Sequence, residues 1–261
     1  MTAARRLWAA SYPLVLLVVV WEAAARAGLA RPLFLPAFST VVAQLWPLLQ
    51  SGDVIEPLLR SVLRALGGLA LAAACGIALG IAMARVAWFH WLLDPLVAIA
   101  FPAPKIAFVP IFILWFGIGD LSKVLLVAFT CVFPMLVSAY DGARGVSLVL
   151  LWSARSMGAS PRHLLWQVIL PGALPAILAG LRVTVPVSLI VAFTAEMVEG
   201  GGGVGAALMY AQRFFETPTV FVYIVLMLLT GVAVDAMMAR LRRRVLRWHE
   251  DAAPDRAGRQ E

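Results

Sequence analysis

Apolar blocks of roughly 20 residues recur along this chain, each the length of a helix that crosses a hydrocarbon core. With 62% hydrophobic and only 13% charged residues, the chain falls outside the soluble range of about 45–50% apolar and about 25% charged. Lipid obliges each block to satisfy its own backbone hydrogen bonds, so the expected fold class is an all-α integral membrane protein. The net charge of +7 would suggest nucleic acid for a soluble chain. Here it fits basic residues gathered at the cytoplasmic ends of spans, and nucleic acid is not expected as a partner.

About six spans are expected, over residues 12–29, 61–84, 101–119, 124–139, 181–198 and 220–238. The first allows two readings, an uncleaved span or a signal peptide, since Arg5 and Arg6 precede a short apolar core and small residues near Ala23–Ala27. Residues 1–60 group this span with a proline-broken external loop, where FSTVVAQLWPLLQSG reads as a short surface helix capped by Ser39 or Thr40. Residues 61–245 form the core transmembrane domain, with the stretch 144–180 on its cytoplasmic side, and 246–261 a polar cytoplasmic tail expected to be disordered. An internal N-terminus places about 13 of the 21 basic residues inside, with both termini cytoplasmic. The bilayer itself is thus the first partner.

In the second span, Gly68, Ala72, Gly76, Gly80 and Ala84 recur every fourth residue and line one stripe, where helices approach closely. The third segment carries Pro102, Pro104, Pro110 and Lys105. Broken helices at membrane depth survive beside protein or water, and an intramembrane lysine points to function. Lys105 therefore reads either as a pathway residue or as a snorkelling or paired one. Arg182 and Glu196 read likewise as pathway or gating residues, or as charges paired within the bundle.

Residues 144–180 are too charged and proline-broken to span, yet too apolar for a linker. Val146 to Met157 is periodic, and Gly158 supplies a reversal that glycine makes without strain. Ser160 is placed to cap a second helix with Pro161 at its first position, Arg162 following and Leu170–Pro171 ending it, roughly 13 Å long. Two short rigid helices make a knob whose apolar face needs a partner.

Several chemistries are missing. Lys105 and Lys123 are the only lysines, and neither is followed by Ser or Thr, so no Walker A loop exists; Gly200–Gly203 reads as a turn rather than a phosphate cradle. There is no HExxH or GxSxG, no CxxC, and Cys75 and Cys131 read as packing residues; no metal site or enzymatic activity is expected. An ion-coupled secondary transporter is the alternative, although such proteins show paired broken helices and only one is visible here.

The run SARSMGASPRHLLWQVILPGALPAILAGLR resembles the cytoplasmic "EAA" loop of ABC-importer permeases, with Ala154, Gly158, Ile169 or Leu170, and Pro171 at matching positions. LFLPAFSTV, SVLRALGG, FPAPKIAFVPIFILWFGIGDLSK, Ala195–Met197 and LRRRVLRWHE are similar to the nitrate/sulfonate/taurine-type branch. The resemblance implies a type I, MetI-like fold in which Trp152, Ser153, Ala154, Gly158, Ala159, Ser160, Pro161, Arg162, Leu170 and Pro171 form a coupling element. It further implies ABC ATPase subunits carrying the ATP and magnesium, a second permease copy in a homodimer and an external solute-binding protein, with this chain itself in the cell inner membrane. The solute implied is small, anionic or sulfonate- or nitrate-like, though members also carry pyrimidine- or riboflavin-like compounds. Trp152-Ser153-Ala154 stands where the family has Glu-Ala-Ala, so its acidic contact does not carry over.

Overall fold

A computed structural model describes residues 3–246, and side chains from Tyr12 onward. The tail from Arg247 and its expected disorder lie outside the described residues. All described regular structure is helical: α1 (Ala3–Arg26), α2 (Phe38–Ser51), α3 (Ile55–Arg85), α4 (Ala87–Ala100), a 3-10 turn (Lys105–Phe108), α5 (Val109–Phe116), α6 (Asp120–Arg144), α7 (Leu148–Ser156), α8 (Pro161–Leu164), a π turn (Leu165–Ile169), α9 (Leu170–Glu199), α10 (Val204–Arg213) and α11 (Thr217–Val245).

Four stretches among the described residues are long and apolar enough to cross a membrane: α3, α6, α8 through α9, and α11. The α4–α5 pair makes a fifth if taken as one span. Large apolar side chains lie exposed along α1, α4 and α11, as expected where the solvent is lipid.

The bundle is organised around α3, α6 and α9. Contacts run from Gly68 to Val127, from Gly76 to Met135 and from Gly80 to Ala139, so α3 and α6 are parallel. A β-carbon on Gly68 would sit 2.6 Å from the Val124 carbonyl oxygen, and one on Gly80 2.4 Å from that of Leu136. Ala72 is buried on the same stripe. Close approach matters in lipid, where dispersion contacts rather than water exclusion hold helices together. At the far end the Arg85 guanidinium donates to the Ala143 carbonyl at 2.5 Å. The α9 helix runs back antiparallel, and Gly142 and Gly180 make its contact with α6 equally close.

Four expectations are corrected. Residues 86–100, outside all of the expected spans, hold the helix α4; Asp94, His90 and Pro95 mask its apolarity. The segment 101–119 is not one broken span: the break falls at 101–104 and turns the chain by 95° into the 3-10 turn and α5. Helix α2 is capped from outside: it starts after Ala37, and Glu22 of α1 accepts from the Ser39 amide at 3.1 Å and hydroxyl at 2.9 Å. Cys131 is buried in the core, but Cys75 is exposed on the outer face of α3.

Candidate functional site

The α7–α8 knob follows from local chemistry. Helix α7 ends in a Schellman motif: the Ala159 amide donates to the Ala154 carbonyl at 3.0 Å and that of Gly158 to Arg155 at 2.9 Å. This geometry requires a left-handed residue, and Gly158 sits at φ +82°. Ser160 then caps α8, its hydroxyl accepting from the His163 amide at 3.3 Å, with Pro161 in the first turn.

Inward, Leu151 and Leu164 are buried with Val146, Ile169 and Ala173 against Met135, Ala139 and Ala143 of α6. Outward, Leu148, Val149, Leu150 and Trp152 are uncovered, Trp152 being 60% exposed. Arg155, Arg162 and His163 are exposed beside them. A concavity of about 440 Å³ between the short helices is lined by Ala154, Met157, Ala159, Ser160, His163 and Gln167. Ser153 is exposed on α7. One side of the knob is thus riveted to the bundle, and the other presents apolar and basic groups.

Leu170 and Pro171 do not end the second helix. The Leu170 amide reaches back to Leu165 in a π turn, and the chain continues helically through Pro171 and Pro175 to Glu199. A proline ring clashes with the carbonyl four residues back, and the wider turn re-spaces those carbonyls. The knob is therefore continuous with α9 rather than separated from a span beginning near Leu181.

Pro102 and Pro104 lie in the 95° break, both exposed. Lys105 is half-buried beyond them; its ammonium donates to the Phe101 carbonyl and lies 5.5 Å from the Phe101 and Phe133 ring centres. Phe101 also lines a groove of about 400 Å³ between α6 and α9, with Ser138, Asp141 and Gly180. Arg182 stands 3.7 Å from Asp235 of α11, a half-exposed pair joining two helices.

Glu196 is fully buried and belongs to a network visible only in three dimensions. It accepts from Arg64 at 2.7 Å, the Ser61 hydroxyl at 2.7 Å and the Gly205 amide at 3.0 Å. Arg64 also holds Asp120, and beside it the buried Lys123 and Glu199 pair at 3.1 Å. Arg64 and Asp120, 56 positions apart, carry no local signature that could have linked them.

Among known proteins, the family model described as "Binding-protein-dependent transport system inner membrane component" matches residues 76–247. The chain belongs to this permease family. The taurine transport system permease protein of Escherichia coli (strain K12) is 34% identical over 241 residues, covering 90% of this chain and 88% of that one. A putative aliphatic sulfonates transport permease protein of Bacillus subtilis (strain 168) is 32% identical, with 89% and 84% covered. A chain of the MetNI methionine ABC transporter in an inward-facing conformation superposes with a TM-score of 0.61 at 18% identity, over 72% of this permease and 96% of that chain. That last likeness shows the fold alone, a MetI-like one. This is a multi-pass inner-membrane permease subunit of an importer.

Proposed function

We propose that this permease carries a small sulfonate-like anion as one of two copies in an ATP-driven importer, and that Leu148–Leu164 docks onto a separate ATP-hydrolysing subunit. The observation that carries the docking is the two-sidedness of the knob: its inner face is anchored by Leu151 and Leu164, while its outer face leaves Leu148, Val149 and Trp152 uncovered next to two arginines. An apolar, basic surface at the end of a rigid helix suits a protein groove that moves. The count of basic residues supports a cytoplasmic side for the knob and both termini in this reading. In this reading ATP and magnesium belong to the partner, which the lack of a Walker loop in the sequence supports.

The substrate class rests on the relatives named for taurine and aliphatic sulfonates, and on Lys105, which bonds to Phe101 of the α6–α9 groove. An external binding protein delivers the solute in this reading, and the two copies are identical. The test is uptake of labelled taurine or an alkanesulfonate into proteoliposomes containing this chain, the cognate ATPase and the binding protein. Uptake that requires ATP and all three components is expected. Uptake by this chain alone, driven by an ion gradient, would overturn the proposal in favour of a secondary transporter.

A further inference from the structure

At the end of the bundle away from the knob, Arg64 organises a constellation that neither docking nor substrate binding uses. Its five N–H groups meet five acceptor contacts. Nε and one Nη2 proton go to Asp120 at 2.8 and 2.5 Å, the other Nη2 proton to the Gly201 carbonyl at 3.0 Å, and the Nη1 protons to Glu196 at 2.7 Å and the Gly202 carbonyl at 2.8 Å. One guanidinium thereby ties α3, the start of α6, the end of α9 and the α9–α10 loop. We propose that Arg64 and the Gly200–Gly203 loop form a latch that closes this end of the permease and opens during the transport cycle.

The loop is built to close and to let go. Gly200, Gly201, Gly202 and Gly203 all have left-handed φ, from 70° to 96°. A β-carbon at Gly203 would lie 2.2 Å from the Glu196 carboxylate, so the closed arrangement admits no side chain there. Four successive glycines also have the widest choice of other conformations once released. The Val204 amide completes the closure by donating to the Ser61 hydroxyl at 2.9 Å.

Three observations separate a latch from a static rivet. A buried ion network is a poor source of net stability, but defining one arrangement among several is its best-attested use. The outer partner of Arg64, Asp120, is 72% exposed, so one end of the tie opens onto the surroundings. The closed state is also imperfectly satisfied, since Oε1 of the buried Glu199 has no partner while Oε2 takes both Ser122 and Lys123.

The latch is mechanically connected to the knob. Both glutamates sit at the end of α9, whose other end continues through the π turn into α8. Thirty residues of helix make a continuous element of about 45 Å, through which a displacement of the knob would reach Glu196 and Glu199. The latch as a switch rests on the ATP-driven reading above, whereas its closed form does not.

Val204→Cys tests it, because Val204 is fully buried at the edge of the loop. The complete transporter in proteoliposomes is treated with a maleimide on both sides, at rest and after trapping with ATP and vanadate. Labelling in the trapped state is expected to be faster by about tenfold or more. In an Arg64→Gln background, labelling is expected to be fast in both states. Arg64→Gln leaves Glu196 buried without its cation and can fail to fold. Asp120→Asn, which cuts only the exposed tie, is the milder variant, with resting labelling between the two.

Equal protection of Val204→Cys at rest and in a transporter that has trapped nucleotide would overturn the latch. If no nucleotide is trapped, the ATP-driven reading fails instead. The closed latch is then judged by the Arg64 and Asp120 variants alone: fast labelling supports it and unchanged protection overturns it.

Discussion

Replacing Gly80 by alanine adds one methyl group where α3 and α6 touch. That carbon would lie 2.4 Å from the Leu136 carbonyl oxygen, 2.8 Å from the Ala139 β-carbon and 2.9 Å from the Tyr140 amide nitrogen. Weak C–H···O contacts in proteins settle at about 3.3–3.6 Å, so the overlap approaches 1 Å against backbone that cannot rotate away. Overpacking of this kind costs about 1–3 kcal/mol, and the upper end applies where a helix must shift as a unit. Alanine recovers about 1 kcal/mol of helix propensity over glycine, leaving a net loss of about 2 kcal/mol. Gly231 in α11 is the control, with nothing within 4 Å of its added β-carbon. Gly231→Ala keeps only the propensity term and is expected to stabilise by up to about 1 kcal/mol. The assay is survival of the monodisperse species in mild detergent after a temperature series. Gly80→Ala should lose the species at lower temperature than the parent and Gly231→Ala at higher. A Gly80→Ala protein as heat-resistant as the parent, or a shift of both variants in one direction, would refute the close-packing argument.

Gly158→Val places a β-branched residue at φ +82°, which costs roughly 1–2 kcal/mol although the space around it is open. Insertion and monodispersity are expected to survive while ATP-dependent uptake falls, and Gly158→Asn, better tolerated in this conformation, should be milder; unchanged uptake would separate the knob's shape from coupling. Lys105→Met keeps the apolar stem and removes the charge. A charge-assisted hydrogen bond is worth about 1.5–3 kcal/mol, so an anionic solute should be taken up with a KM raised about tenfold or more. An unchanged KM would leave Lys105 the lesser task of holding the Phe101 turn.

What the residues disclosed in advance is tied to local or periodic chemistry. The stripe from Gly68 to Gly80 has a four-residue period, and the turn at Gly158–Pro161 is written in adjacent positions. Both could be placed without knowing any neighbour. Three features could not. Pro171 looks like a terminator because proline usually is one, and only the π turn lets α9 run through it. Helix α4 hides behind His90, Asp94 and Pro95, which lower its apparent apolarity without breaking it. The Arg64 network joins residues up to 138 positions apart, and tertiary pairing at such separation leaves no trace in a single sequence. Glu196 shows the consequence: alone it reads equally as a gate or as a pair, and its partners appear only with the fold.

The central claim is that Trp152 and its neighbours face an ATP-hydrolysing subunit. A photo-crosslinking amino acid at position 152, in the purified complex, reads this contact directly, with the same group at the exposed Tyr210 as control. Tyr210 lies on α10, at the opposite end of α9 from the knob. A covalent adduct with the ATPase from position 152 and none from 210 is the predicted result. An ATPase adduct from position 210, or none from 152 in an intact complex, would contradict the account.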